Sequence, residues 1–230
     1  MTVRIGTYNV RGMQDDVPAL VRVVTAMRPD VLCVQEAPRF LCWRSKRRQL
    51  ADATGLSVAS GRRLGGVAVY AGPRVSVIHA ESHILKIFPP REIRGLAIAV
   101  VEVDGKRVAV GSIHLDLVES MRLYHANEAV ALVEAAAARF GAIPVVAGDI
   151  NEQSHQETWR YIAGKLVDSY PCAPRGDGLT FTANNPRERI DGIFVGAGLS
   201  VVACGGVDAA PLDLARATDH LPVVADLAFG

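Results

Sequence analysis

The chain has 230 residues, of which half are hydrophobic and 21% are charged, and its formal net charge is +1. The large apolar fraction excludes an intrinsically disordered chain, because it is sufficient to form a buried core. The near-neutral charge provides no general basic field, so charge alone does not indicate a nucleic-acid partner.

Short β-rich runs alternate with helical patterns in the first part of the chain. β-branched residues predict a strand over 3–10, apolar residues at helical spacing predict a helix over 17–28, and 31–36 has the pattern of a buried strand. A basic helix is expected over 43–55, with Gly55 as its C-terminal residue. Four further runs predict strands, at 65–71, 75–85, 94–103 and 106–117.

The second part of the chain continues the alternation. Asp104 and Gly105 separate two apolar runs, a pattern typical of a β-hairpin. Periodic apolar residues predict helices over 119–139 and 154–164, and a long polar loop is expected over 171–189. The remaining predicted strands are 144–148, 190–196, 199–206 and 221–229.

Hairpins mixed with strand–helix–strand units favour mixed sheets covered by helices, an α/β sandwich. The sequence has no internal repeat and no low-complexity linker, so we expect a single domain over 1–230.

The cysteines and the N-terminal sequence indicate the cellular compartment in which the protein is expected. Neither C-x-x-C spacing nor an adjacent histidine ligand occurs, which argues against a zinc site or a disulfide framework; the four cysteines are Cys33, Cys42, Cys172 and Cys204. The first ten residues lack the apolar core of a secretory signal, and no apolar run is long enough to span a bilayer. We therefore expect a cytoplasmic protein without a membrane span, and no obligate protein partner is evident.

Polar residues recur at the ends of the predicted strands. They are Asn9, Glu36, His114, Asp149 and Asn151 after strands, and Asp191, Asp219 and His220 at or before the start of others. Because strand ends gather along one edge of a sheet, these side chains can converge on one crevice. Carboxylates and amides are hard oxygen ligands suited to Mg²⁺ or Mn²⁺, and histidines exchange protons near neutral pH.

Taken together, these motifs resemble the endonuclease/exonuclease/phosphatase superfamily, which includes AP endonucleases, pancreatic-type deoxyribonucleases, sphingomyelinases, inositol polyphosphate phosphatases and tyrosyl-DNA phosphodiesterases. The matching motifs span nearly the whole chain in the family's order: "TYNV" with Asn9, "VQE" with Glu36, "SIHLDL" with His114, "GDIN" with Asp149 and Asn151, "RIDGIFV" with Asp191, and "TDHLPV" with Asp219 and His220. The resemblance implies a four-layer α/β sandwich, in which two mixed β-sheets pack face to face and are flanked by helices. It also implies Mg²⁺-dependent hydrolysis of a phosphoester at the strand ends.

The resemblance also implies a role for each matched residue. Glu36 would bind Mg²⁺ directly, with help from Asn9 and Asp219 through oxygens or water. Asp149 and Asn151 would orient the attacking water and contact the phosphate.

The remaining matched residues would bind the phosphate or take part in proton transfer. His220, oriented by Asp191, would act as general base or as a protonated phosphate donor, so the proton acceptor is either Asp149 or His220. His114 would bind the phosphate and stabilise the transition state.

Several positions bear on the branch and the substrate. Many AP endonucleases have an acid where this chain has Arg11 and a Tyr where it has His114, so the chain is more similar to a deoxyribonuclease/sphingomyelinase-like branch with a His at the phosphate site. Arg94, in a segment that often precedes the His motif in the family, is either a phosphate ligand or a residue that caps a strand edge. The basic segment 43–49 and the pair Arg62–Arg63 either contact a nucleic-acid backbone or form a solvated surface.

Three functions remain open at this point. The sequence favours a nuclease or phosphodiesterase acting on DNA or RNA. The alternative is a phosphatase or phosphodiesterase acting on a small-molecule, nucleotide or lipid head-group phosphoester. A catalytically inactive binding scaffold is disfavoured, because the polar residues of every motif are present.

Overall fold

The computed structural model describes all residues 1–230. The strands are β1 (Thr2–Asn9), β2 (Val31–Gln35), β3 (Ser57–Ser60), β4 (Ala68–Ala71), β5 (Ser76–Ile84), β6 (Gly95–Val103), β7 (Lys106–His114), β8 (Ile143–Asp149), β9 (Val167–Asp168), β10 (Pro174–Arg175), β11 (Asp191–Val195), β12 (Leu199–Gly205) and β13 (Val223–Phe229). The helices are α1 (Val17–Met27), α2 (Trp43–Ala53), α3 (Glu119–Phe140), α4 (Glu157–Lys165), α5 (Ser169–Cys172) and α6 (Pro211–Ala217). None of these helices combines the length and the apolar character needed to cross a membrane.

The strands form two mixed sheets. One has seven strands in the order β10-β12-β13-β1-β2-β4-β3, and the other has six in the order β5-β6-β7-β8-β11-β9. The inner faces of the two sheets share one hydrophobic core, to which Ile5 and Val31 contribute from the first sheet and Val110 and Val145 from the second. Small and β-branched side chains dominate this core, which suits the interdigitation of two pleated surfaces.

Helices cover the outer face of each sheet. Leu20 of α1, Leu50 of α2 and Ala217 of α6 pack with Tyr8 on the outside of the seven-stranded sheet. On the other side, α3 and α4 pack against β6, β7, β8 and β11, with Trp159 in that cluster. The predicted four-layer α/β sandwich is confirmed.

The ends of the helices follow from local chemistry. The side chain of Asp16 accepts a hydrogen bond from the backbone N–H of Ala19 at the start of α1, which satisfies a donor that the first turn leaves free. Gly141 ends α3 in the left-handed conformation (φ 59°), as glycine does at many helix C-termini.

Five elements were not expected from the sequence: β3, α5, β9, β10 and α6. The strand β3 is short and alternates poorly, since Ser57 and Val58 are both exposed. The helix α6 has Pro211 in its first turn, a start signal, but its seven residues are too few for a clear apolar period. The polar loop predicted over 171–189 is interrupted by β10 and by the end of α5.

Strand register places the chain's polar motifs on one edge of the sandwich. The parallel pairs β1–β2 and β7–β8 align Asn9 with Gln35 and His114 with Asp149. The antiparallel strand β11 begins at this edge, because Asp191 pairs with Asp149. The sheets are linked here by a hydrogen bond between Gln35 Nε2 and Ser112 Oγ of 3.1 Å.

Candidate active site

Asn9 lies at the centre of the polar residues on this edge. Its Nδ2 donates to Glu36 Oε1 and to Asp149 Oδ2, each at 3.1 Å, and lies 3.4 Å from His220 Nε2. Its Oδ1 accepts a hydrogen bond from the backbone N–H of Arg11. Asn9 therefore links the end of β1 to residues of both sheets, and its orientation is fixed from both ends of the amide.

Glu36 follows β2 with an unusual backbone conformation. Its φ is +47°, a left-handed value that costs energy for a residue with a side chain and is often found at functional sites. The carboxylate is half-buried, makes no ion pair, and accepts a hydrogen bond from Asn9. This residue thus presents a carboxylate to the crevice without a protein cation to neutralise it.

Asp191 and His220 form a buried pair. Asp191 Oδ2 lies 2.9 Å from His220 Nδ1, and the two residues are 2% and 5% exposed. Burial disfavours the imidazolium, but the nearby carboxylates, Asp191 foremost, outweigh it and raise the pKa of His220 to about 9. The ring of Phe181 lies 4.9 Å from that of His220, so the imidazole is held from two sides.

Asp149 and His114 face this pair across the crevice. Asp149 Oδ2 lies 3.5 Å from His114 Nε2 and 3.7 Å from His220 Nε2. Burial and then the charge of Asp191 raise the pKa of Asp149 to about 7. Burial and then the positive charge of Arg94 hold the pKa of His114 well below its usual value. The two histidines thus differ in charge at neutral pH, with His114 neutral and His220 cationic.

Asn151 and Asp219 complete the sequence-derived set. Asn151 has a left-handed φ of +56°, its backbone N–H donates to Asp149 Oδ1, and its side chain donates to the carbonyl of Leu115. Asp219 Oδ2 lies 3.6 Å from Arg11 Nε. Arg11, whose position is acidic in many AP endonucleases, therefore contacts an acid here.

Arg94 is 6% exposed and lies 3.6 Å from Glu92 through its Nη1, while its Nε has no hydrogen-bond partner. It lies in the wall of a cleft of about 530 Å³. The same cleft is lined by Glu36, His114, Asp149, Asn151, Asp219 and His220. All nine residues singled out in the sequence therefore lie in or directly beside one crevice, Asn9 and Asp191 being buried behind its wall.

Sequence reasoning missed the residues that support this site. Thr180 Oγ1 accepts hydrogen bonds from the backbone N–H groups of Ile190 and Asp191, which fixes the start of β11. Glu152, directly after the "GDIN" motif, forms a buried ion pair with Arg122 of 2.8 Å. These residues come from loops and helices whose partners are distant in sequence, so no local pattern identified them.

The basic segment 43–49 is not one uniform surface. Arg47 is 1% exposed and donates to the carbonyls of Pro38 and Gly61, among others. Lys46 lines the cleft, and Arg44 lies over the ring of Trp43. Arg47 therefore has a structural role and does not belong to the basic surface that the sequence suggested.

The donor set fits a divalent cation. Glu36 and Asp219 supply carboxylates at the cleft, which are the ligands that Mg²⁺ prefers. Ligand atoms of Asp149, Asp191 and His220 also lie within 4.8 Å of one another. In that second group, however, His220 Nδ1 is already bound to Asp191, which makes it less open to an ion than the carboxylate of Glu36.

Comparison with solved structures identifies the fold class. A mannosyl-6-phosphatase from Bacteroides thetaiotaomicron aligns with a TM-score of 0.83 at 18% identity, covering 99% of this chain and 100% of that chain. The human Nocturnin catalytic domain, solved with bound sulfate, aligns with a TM-score of 0.77 at 15% identity, covering 100% and 95%. A humanized D. rerio TDP2 gives 0.73 at 17% identity, covering 99% of each chain. These similarities show a shared fold, and no curated protein matches the chain by sequence.

The family follows from the sequence match. The model of the Endonuclease/Exonuclease/phosphatase family matches residues 6–220, from within β1 to His220. The chain therefore belongs to this family, whose members hydrolyse phosphoesters.

Proposed function

We propose that the protein is a Mg²⁺-dependent phosphoester hydrolase in which Asp149 and His220 act side by side on the reacting phosphate. The observation that supports this most is the buried Asp191–His220 pair, in which the second ring nitrogen of His220, Nε2, lies 3.7 Å from Asp149 Oδ2. A carboxylate hydrogen-bonded to an imidazole, with a second carboxylate close to the other ring nitrogen, can orient and transfer protons.

Glu36 would bind the cation, with Asn9 and Asp219 as further ligands or as residues that orient the bound water. Mn²⁺ would suit the same oxygens. When bound, such an ion polarises a phosphoryl oxygen and stabilises charge on the leaving group.

The protein's own residues would divide the proton chemistry. His220, kept cationic by Asp191, would donate a hydrogen bond to the phosphate, and the neutral His114 would bind it from another side. Asp149, whose pKa of about 7 suits a general base, would accept the proton of the attacking water, which Asn151 would help to place. The water oxygen bonds to phosphorus and the bond from phosphorus to the ester oxygen breaks; the leaving alkoxide takes up a proton from solvent, and Asp149 releases to solvent the proton that it accepted.

Nucleic-acid cleavage and hydrolysis of a smaller phosphoester both use this chemistry. Arg94, Arg39 and Lys46 in the cleft wall would contact phosphate in either case. An inactive scaffold is disfavoured, because the groups needed for chemistry are not only present but hydrogen-bonded to one another.

The proposal is tested by the rate of phosphoester hydrolysis with Mg²⁺ and with EDTA. The substrates are p-nitrophenyl phosphate, bis-p-nitrophenyl phosphate and supercoiled plasmid. We expect at least one substrate to be hydrolysed only with the metal, and Glu36→Gln to lower that rate at least tenfold. Glu134→Gln, an exposed acid on α3, is the matched control. Hydrolysis that is equally fast in EDTA would refute the metal dependence.

A further inference from the structure

The charge of the cleft limits how many phosphates it can bind. Its lining contains three cations, Arg39, Lys46 and Arg94, and five carboxylates, Glu36, Glu92, Asp149, Glu188 and Asp219. Counted without the histidines, the formal charge is therefore −2; the cationic His220 makes it −1, and a bound divalent cation would bring it to +1. A site for a polynucleotide instead presents an excess of cations along a run of phosphates. The cleft thus has the charge to bind one phosphate rather than several.

The same cleft has an apolar rim, formed by Phe40, Leu41 and Leu117. These side chains are 71%, 86% and 72% exposed, and they are the three most exposed large hydrophobic side chains of the entire chain. Single exposed leucines are common on protein surfaces. Three that converge on the mouth of one polar cleft indicate a binding surface for an apolar group.

Buried arginines hold both parts of the rim in place. Phe40 and Leu41 lie between β2 and α2, where Arg47 donates to the carbonyl of Pro38 at 2.9 Å. Leu117 lies between β7 and α3, where Arg122 donates to the carbonyl of Leu117 itself at 3.3 Å. An apolar surface on anchored loops loses less conformational entropy on binding than one on free loops.

From these observations we infer that the substrate is an ester of a single phosphate with an apolar alcohol, and that the rim binds the alcohol. This inference rests on the proposed function and narrows its substrate class. The phosphate lies among His114, Asn151 and His220, and the alkyl or aryl group extends outward along the rim. Apolar phosphoesters occur both as dissolved small molecules and as lipids, and both offer the same two groups to the cleft.

The test compares esters that differ only in the apolar alcohol. Hydrolysis with Mg²⁺ is measured for methyl and n-octyl phosphate, and for the methyl and n-octyl diesters of p-nitrophenyl phosphate, all as dissolved monomers. Within whichever of the two pairs the enzyme hydrolyses, we expect kcat/KM to be about tenfold higher or more for the octyl ester than for the methyl ester, mainly because KM is lower. Vesicles of phosphatidylcholine with 10% phosphatidic acid form a second arm, and hydrolysis there but not in solution would assign the lipid source.

Variants assign the preference to the rim. Phe40→Ser and Leu117→Ser should each lower the octyl-to-methyl ratio several-fold, whereas Leu212→Ser should leave the ratio unchanged, since Leu212 is 58% exposed on α6 and does not line the cleft.

The outcomes separate this inference from the proposed function. Equal kcat/KM for methyl and octyl esters, or cleavage of an oligonucleotide at a higher kcat/KM than any of them, would overturn the apolar substrate class while leaving the hydrolase intact. An octyl preference that survives both rim variants would also overturn it. Absence of hydrolysis of every ester and of the oligonucleotide, with wild type equal to Asp149→Asn, would reject the proposed function and this inference with it.

Discussion

Asn9 and Asp191 are fully buried, yet each controls a side chain that faces the cleft. Asn9 holds the carboxylates of Glu36 and Asp149 by one amide nitrogen. Asp191 binds the imidazole of His220, and its second oxygen has no hydrogen-bond partner. A buried carboxylate with one unpaired oxygen is costly, and a protonated His220 offsets that cost.

The pH dependence of stability tests this pair. Because the folded-state pKa of His220, about 9, exceeds its unfolded value of 6.5, its contribution is fully present below pH 6.5 and is lost as the pH rises through 9. In metal-free protein we expect the free energy of unfolding to fall across this window. Asp191→Asn should flatten the fall and lower the pKa of His220, as followed by urea unfolding and by NMR titration of the imidazole. Parallel curves for the two proteins would show that Asp191 does not set the charge of His220.

At the scale of elements, the cleft is built from loops that buried arginines attach to the sandwich. Arg47 extends from α2 to the backbone carbonyls of Pro38, Gly61 and Arg62, and it makes no ion pair with a carboxylate. Burial lowers its pKa to about 10, which leaves it charged at neutral pH. The helix α2 thus contributes one arginine to the fold, and its other basic residues remain exposed.

Removal of the Arg47 side-chain charge should be strongly destabilising. Arg47→Met leaves several buried carbonyls without a donor, and we expect a loss of about 2–4 kcal/mol in the free energy of unfolding. Arg48→Met, on the exposed face of the same helix, should change stability by no more than about 0.5 kcal/mol. The free energies of unfolding are measured by urea unfolding. Equal losses for the two substitutions would contradict the structural role of Arg47.

Across the whole molecule, the two sheets meet where the residues proposed to be catalytic lie. Glu36 follows a strand of one sheet and Asp149 ends a strand of the other, so an ion held beside them would connect both halves of the sandwich. Ligand binding to the folded state alone stabilises that state by mass action.

Thermal unfolding measures this linkage. At a concentration 100 times its Kd, Mg²⁺ should stabilise the protein by about 2.7 kcal/mol, which corresponds to a rise in Tm of about 5–10 °C at this chain length. Glu36→Gln should remove most of the rise. A Tm in wild type that does not respond to Mg²⁺ would be the behaviour of an inactive scaffold.

Most of the sandwich was predictable, because its long strands and α1 to α4 have clear apolar periods. The convergence of the polar motifs was also predictable from their positions at strand ends. In the structure, strand register produces this convergence, because His114 and Asp191 both pair with Asp149. The short elements β3 and α6 were missed, since few residues give little periodicity. The cleft rim and Arg47 were missed because loop conformation and long-range burial leave no local pattern.

Asp149 is the residue on which the proposed metal-dependent phosphoester hydrolysis most depends. The most direct measurement is kcat/KM for wild type and Asp149→Asn with Mg²⁺ on p-nitrophenyl phosphate and its bis-p-nitrophenyl diester, with the exposed Asp52→Asn on α2 as the control. We predict that Asp149→Asn lowers kcat/KM about 100-fold or more, while Asp52→Asn matches wild type. Asp149→Asn protein that is folded and as active as wild type would contradict the proposed role of Asp149.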